Sequence, residues 1–431
     1  MSYYDRKLET LDPAALRALQ EKKLRRLMSA LPRSAFYRRK LAAAGIRAED
    51  VGSLADLQRL PFTTKAEIVA SQEAAPPYGE LRTEPLSWYR YLHQTSGTTG
   101  RPLYWLDSDE DWQTWMRAWG HVYCGAGVHH SDVVLCAFSF GPFIAHWTAL
   151  QGAREMGAMA IPSSGLSSRQ RLDLIAKHNV TVLVSTPTYA LHLAEVAAQN
   201  GIDAAELSVR ITIHAGEPGA SIPNVRERIE DAWGARTYDH AGATEVGAWG
   251  FDCQVAEDEI HLNELEFFFE FIDPETLEPV PDGELGELVI TTLSRNGMPV
   301  VRYRTGDLVI HDVDPCPCGR HLTRLNGGVL GRADDMMIVR GVNVFPSAVD
   351  NVVRGFPEIA EYQGEVRGRG QLNELVLTVE LAGEASLDDV APRLTAAFQD
   401  RLRIAVVVEK ADEELPRFEL KARRFKREAQ P

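Results

Sequence analysis

Between Asp12 and Leu41 the apolar residues Leu16, Leu19, Leu24, Leu27 and Leu31 recur at helical spacing among many charges, which predicts an amphipathic helix packed on a larger body. Short β-rich runs follow at Val133–Ala137, Val180–Ser185 and Val209–Ile213, alternating with helical patterns at Arg169–His178, Tyr189–Gln199 and Ile222–Trp233. Strands alternating with helices of this length predict a layered α/β domain. From Ile260 to Thr291 the pattern turns to strands, with turn signals at Asp273-Pro274 and Pro281-Asp282-Gly283, so an added β subdomain is expected. Beyond Gly331 comes a unit of about 100 residues. Its helix Ser347–Gly355, strand Glu374–Leu381, helix Leu387–Arg401 and strand near Ile404–Glu409 make a small α+β C-terminal domain.

The longest apolar stretch, Val133–Ala145, is interrupted by Ser139, Gly141 and Pro142 and is too short to span a bilayer. The N-terminus has no apolar core followed by small residues, so no secretory signal is read and the cytoplasm is the expected compartment. With 46 Lys+Arg against 61 Asp+Glu, the 431-residue chain carries a formal charge of −15. That excludes a general nucleic-acid or anionic-membrane binder, which needs a broad positive face. Any polyanion it takes must be small and held locally. Five cysteines are too few and too odd in number for a disulfide framework.

The stretch Gln94-Thr95-Ser96-Gly97-Thr98-Thr99-Gly100-Arg101-Pro102 carries the strongest chemistry. Its glycines let successive N–H groups converge on an anion, and its hydroxyls add donors without bulk, which suits a polyphosphate. The bland alternative is a flexible linker, but the run lies between two aromatic strand-like segments, Trp88–Leu92 and Leu103–Leu106. The Gly-Lys-Ser/Thr of strand–helix NTPases is missing.

Thr95–Gly100 resembles the phosphate loop of the adenylate-forming acyl-CoA synthetase superfamily, and further matches follow in order. Tyr238-Asp239-His240-Ala241-Gly242-Ala243-Thr244-Glu245 resembles its aromatic-Gly-x-Thr-Glu segment. Tyr303-Arg304-Thr305-Gly306-Asp307 is similar to the ribose-holding segment, and Gly331-Arg332-Ala333-Asp334-Asp335 to the interdomain hinge. Within the superfamily the chain is most similar to phenylacetate-CoA ligase and related aryl-CoA ligases, through Leu60–Lys65, Ser185–Leu191, Ala215-Gly216-Glu217-Pro218 and Cys316-Pro317-Cys318-Gly319-Arg320.

The resemblance implies a large, multi-subdomain N-terminal adenylate-forming domain, residues 1–333, and a mobile C-terminal domain, residues 334–431, on a hinge. It implies an AMP-forming ligase that uses ATP, Mg²⁺ and CoA on a small aromatic acid. Glu245, after Thr244, supplies a hard oxygen to Mg²⁺, and Asp307 accepts from the ribose hydroxyls. Tyr238, beside Asp239, stacks on adenine or, as an isolated tyrosine would, packs in the core. Ala215, Gly216, Glu217 and Pro218 form the opposite wall, and Arg332 and Asp334 belong to the hinge, with Asp334 as its pivot. Lys421 matches the catalytic lysine by its spacing from Pro416, although Leu420 stands where the family usually has glycine. A fixed ammonium there stabilises the pentavalent transition state.

The acyl pocket is expected between the phosphate loop and the following strands, lined by Phe138, Phe140, Gly141, Phe143, His146 and Trp147, with Ala241 and Gly242 near the carboxylate. An aromatic slot suits a flat aryl acid, while each ring singly is as readily core. Ser139–Phe143 stands where phenylacetate-CoA ligases usually carry a glycine-rich stretch, which speaks against phenylacetate itself and favours a different aromatic acid, substituted or not. The family fold brings Cys316 and Cys318 toward Cys253 and His261, a Cys₃His set for structural Zn²⁺. His321 competes as fourth ligand, and reduced loop thiols are the alternative; Cys124 and Cys136 read as core. Transfer to a carrier protein or an amine, or a non-catalytic ligand sensor, are the competing functions. Monomer and homodimer both stay open.

Overall fold

The computed structural model describes residues 2–95, 102–138, 141–256, 258–340, 342–369, 372–418 and 424–426. The first expected helix divides in two, Pro13–Ala30 and Ala35–Ala43, around a short 3₁₀ turn at Leu31–Arg33. Pro32 has no N–H for a continuing helix, and Ser34 caps the second helix by accepting from Tyr37 N. Leu16, Leu24, Leu27 and Leu31 are buried as the spacing requires. An antiparallel hairpin of Tyr91–Gln94 and Tyr104–Asp107 follows, with Gln94 opposite Tyr104. The glycine-rich loop is therefore the hairpin's connection.

Five parallel strands form the centre of the large sheet, in the order Met159–Pro162, Val133–Cys136, Val182–Ser185, Ile211–His214 and Arg236–Ala243. Successive residues serve opposite faces, as the pleat demands. Val134, Cys136, Val182 and Val184 pack with Trp115, Trp119, Tyr123 and Ala149 on one side. Leu135, Ala137 and Leu183 pack with Leu172, Tyr189, Leu193, Ile229 and Trp233 on the other. Both faces are covered by helices, which is why these strands read as continuous apolar runs.

The strands of Ile260–Thr291 do not form a detached subdomain. The sheet continues by antiparallel pairing through Gly247–Phe251, Glu259–Leu262, Arg324–Asn326, Tyr303–Asp312, Leu285–Thr292 and Phe267–Ile272, giving twelve strands among the described residues once Gly331–Arg332 is included. After that last short strand a new unit begins with the hairpin Met337–Val339 and Val342–Val344. Four strands follow, ordered Val406–Lys410, Leu372–Leu381, Ile359–Arg369 and Phe425–Lys426. Helices Pro346–Arg354 and Leu387–Leu402 share with them a core of Val349, Val353, Tyr362, Leu377, Leu394 and Phe398. The two units touch where Asn224 Nδ2 donates to the Asn351 carbonyl at 2.5 Å and where Ser347 Oγ donates to the Leu330 carbonyl. Among the described residues no helix is long and apolar enough to cross a membrane.

Candidate active site

The Tyr238–Glu245 segment leaves the parallel part of the sheet and turns at Thr244-Glu245 into the antiparallel part. Asp239 is buried, and its Oδ2 accepts from Ser221 N at 3.1 Å and Ser221 Oγ at 2.5 Å. Burial raises its carboxyl above the usual range while these bonds oppose the shift. Below it, Arg226 donates to Asp252 at 2.8 Å and to the Thr237 carbonyl at 3.0 Å; burial pushes Asp252 up to about 6. Tyr238 is 3% exposed and belongs to the apolar cluster with Trp119 and Ile213, so its packing is that of a core residue and not of an open stacking platform.

Glu245 is buried beside Tyr303. Burial lifts the Tyr303 hydroxyl well above its ordinary range, and Glu245 and Asp307 push it further while Arg332 opposes. The Thr-Glu turn, the ribose-like segment and Arg332 of the hinge thus all act electrostatically on one hydroxyl. Arg332 donates to Asp307 Oδ1 at 3.1 Å, to the Thr305 carbonyl at 3.2 Å and to Asp334 Oδ1 at 3.0 Å. Gly306 lies under this guanidinium at φ +77°, where a Cβ would stand 3.0 Å from Nη2. The positive φ is what favours glycine here, since the guanidinium could give way to a Cβ. Across the cleft Gly216 has φ +97°, and Glu217 Oε1 accepts from Thr188 N at 3.0 Å.

Two residues that the sequence reading missed hold this arrangement. Arg295 clamps Asp107, at the end of the hairpin, through bonds of 2.6 and 2.8 Å, and donates to the Thr244 carbonyl at 2.7 Å. Both side chains are shut off from solvent, 1% and 0% exposed, and the guanidinium lies over Trp105 and Trp115. Neither belongs to a recognisable motif, so only the fold reveals the pair. At the base of the glycine-rich loop Thr95 Oγ1 accepts from Leu103 N at 3.0 Å. Ser96, Gly97, Thr98, Thr99, Gly100, Phe140 and Lys421 lie outside the described residues.

In the expected acyl region Phe138 stacks on His146 at 4.3 Å, and Phe143 meets the same imidazole edge-on at 6.1 Å. Trp147 is exposed and donates to the Gly141 carbonyl at 2.9 Å. Ala241 is half-buried and Gly242 exposed.

Cys253, His261, Cys316 and Cys318 come together, all buried, with their donor atoms within 4.8 Å of one another. Cys253 Sγ is 3.9 Å from Cys316 Sγ, and Cys318 Sγ is 3.5 Å from His261 Nε2. Tetrahedral zinc with Zn–S bonds of about 2.3 Å separates its sulfurs by about 3.8 Å, so the donor set fits that metal. His321 is exposed and outside the group. Burial opposes protonation of His261, yet the sulfurs of Cys253 and Cys318 raise it to about 9.

A hairpin flanking the hydroxyl- and glycine-rich run of the sequence, a Thr-Glu turn and a Thr-Gly-Asp turn beside a two-unit junction are the features expected of an acid-activating, nucleotide-binding ligase. The AMP-binding enzyme family model matches residues 39–294, and the AMP-binding enzyme C-terminal domain matches residues 341–428; the chain belongs to this family, in its phenylacetate-CoA ligase-like branch. It is 35% identical to a phenylacetate-coenzyme A ligase of Thermus thermophilus over 88% of this chain and 84% of that one. It is 34% identical to one of Escherichia coli over 88% and 85%. Among solved structures it is similar to 2-hydroxyisobutyryl-CoA ligase in the postadenylation state, with 30% identity, TM-score 0.93, and 98% and 91% of the two chains covered. In the thioesterification state that same ligase gives a TM-score of 0.74 over 97% and 91%.

Proposed function

We propose that this chain activates an aromatic carboxylic acid with ATP, forming the acyl-adenylate and pyrophosphate, and passes the acyl group to coenzyme A as an aryl-CoA thioester. The supporting observation is the Arg332 bond that fixes Asp307 in its Thr-Gly-Asp turn, with the hairpin tied to the Thr244 carbonyl through Arg295. In the first step an acid oxygen attacks the α-phosphorus and pyrophosphate leaves. In the second the CoA sulfur attacks the acyl carbonyl and AMP leaves. Both reactants of the first step are anions, so the chain's task is to hold them together and offset their charge.

Thr95–Gly100 would receive the β- and γ-phosphates, and Asp307, fixed by Arg332, would accept from the ribose hydroxyls. Ala215–Pro218 would form one wall of the nucleotide cleft. Glu245 is the carboxylate available to hold Mg²⁺, which supplies charge neutralisation on the phosphates when bound. Lys421 would place its ammonium at the bridging oxygen. Residues up to Ala333 form the body and residues from Asp334 the moving unit, with Asp334 as pivot. Phe138, Phe143 and His146 supply a flat wall for an aryl ring. The Cys253, His261, Cys316 and Cys318 set would take one Zn²⁺; four protein ligands leave no open position, so its role is to pin loops.

The test is pyrophosphate release across a panel of phenylacetate, ring-substituted aryl acids and short hydroxy acids, each offered with CoA, an amine and a carrier protein. Release that requires an aryl acid and yields thioester only with CoA supports the reading. Preference for 2-hydroxyisobutyrate, or for another acceptor, rejects it.

A further inference from the structure

Arg417 and Arg424 bracket Lys421, four residues before it and three after, and both reach across the junction between the two units. Arg417 forms a bidentate pair with Glu380 of the C-terminal sheet, at 2.6 and 2.9 Å, and a longer contact of 3.4 Å with Glu195 on the helix Pro187–Gln199. Arg424 is buried. It pairs with Glu361 at 2.8 and 3.1 Å, lies 3.5 Å from Asp350, and donates at 3.3 Å to Thr188 Oγ1 at the start of that same helix. Each arginine is thus held firmly within its own unit and touches the other unit through a single long bond. Such a cation travels with the C-terminal unit and gives up only its weaker contact.

We propose that Arg417 and Arg424 are positioning residues that latch the C-terminal unit to the helix Pro187–Gln199 for adenylation and release it for thioester formation. The proposal rests on the ligase reading above. A cavity of about 660 Å³ lies at the contact, lined by Leu191, Ala194 and Ala198 on one side and by Ala360 and Phe418 on the other. The polar contacts therefore bridge a space that apolar packing does not fill. Glu361 keeps its charge throughout: burial disfavours it, but Arg354 and Arg424 hold its carboxyl at about 2.

A third arginine opposes the latch. Arg228, on the helix Pro223–Trp233, faces Arg354 and Arg424 across the junction. Among the described residues it forms no ion pair, and it donates only a 3.4 Å bond to the Ile359 carbonyl. Burial first, and Arg354 next, push it down to about 10. Arg354 and Arg424 repel this guanidinium while Glu195 and Glu361 attract it, so a like-charge contact lies beside the pairs that make the latch. The present arrangement is the one shared with the postadenylation state, and it differs from the thioesterification state of the same relative.

The test measures the two half-reactions separately on the full chain: pyrophosphate released in the first turnover, and thioester formed from preformed acyl-adenylate and CoA. Glu195→Gln and Thr188→Val should each slow the first by roughly two- to fivefold, as expected for one partly exposed pair and one long neutral-acceptor bond, and leave the second unchanged or faster. Combined, they should slow it by roughly four- to twenty-five-fold if additive, and Glu195→Asp should recover the wild-type rate. Arg228→Gln should do the reverse, slowing thioester formation while leaving adenylation unchanged or faster. Equal slowing of both half-reactions, or no change at the half-buried Glu195, overturns the latch. A wild-type chain that makes no adenylate from any acid overturns the ligase reading instead.

Discussion

His240 donates its Nδ1 proton to the Gly250 carbonyl at 2.8 Å and tilts its ring against Trp119 at 4.6 Å. Burial holds it at about 4, against 6.5 in an open chain, so the folded imidazole is neutral and its Nε2, beside Gly242, is an acceptor. Between those two values the unfolded chain binds the extra proton, so this contribution is full above about pH 6.5 and is lost as pH falls toward 4. The gap in denaturant midpoint between wild type and His240→Gln should therefore narrow across that window; a constant gap contradicts the neutral assignment. At Lys421 the expectation is kinetic. Lys421→Ala should cut adenylation by about 10²–10³-fold, the loss from deleting one transition-state charge, and leave thioester formation from preformed adenylate largely intact. Unchanged adenylation would move the role elsewhere, with Lys426 the next candidate.

The hairpin Tyr91–Gln94 and Tyr104–Asp107 is a small element, and alone it would be marginal. Trp105 and Leu106 pack it into the core with Trp249 and Ile290, and the dry Asp107–Arg295 pair ties it to the sheet. Arg295→Leu leaves Asp107 charged and unpaired in the interior and should destabilise the chain by about 3–5 kcal/mol, with much of that recovered when Asp107→Leu is added. Denaturant unfolding of the two variants checks it, and a double variant no better than the single one contradicts it. This pair also marks the limit of what the sequence revealed. Strands covered on both faces were legible because Val134, Leu135 and Cys136 are all apolar, and the motif segments were legible because their turns demand Gly, Thr and Asp. An arginine and an aspartate 188 residues apart carry no local signal. The break at Pro32 was visible in principle, since proline stops a helix, but the leucine spacing on either side concealed it. Tyr238 had two readings, and its burial was decided by neighbours from other strands. His261 and His321 could not be separated until the strand Glu259–Leu262 turned one of them toward the cysteines.

At the scale of the whole molecule, the Cys₃His cluster joins three segments of the antiparallel sheet, and the N-terminus rests on it: Tyr3 OH donates to the Cys318 carbonyl at 2.6 Å, and Arg320 pairs with Glu9 at 2.6 Å. Protein prepared without chelator should carry about one zinc per chain, and Cys316→Ser with Cys318→Ser should lose it and lower the unfolding midpoint. Zinc below about a tenth of an equivalent by elemental analysis, or full occupancy in the double variant, contradicts the site. Around this frame the acid, ATP and CoA must meet in sequence, and the central claim is that the chain couples ATP cleavage to an aryl thioester. Its most direct test is one incubation of the purified chain with ATP, Mg²⁺, CoA and a mixture of aryl and short hydroxy acids, with all products identified by mass. The account predicts AMP, pyrophosphate and a single aryl-CoA in equal amounts, and, without CoA, no more than one equivalent of pyrophosphate per chain with the acyl-adenylate retained. ADP as the nucleotide product, or a thioester drawn only from the hydroxy acids, would contradict it.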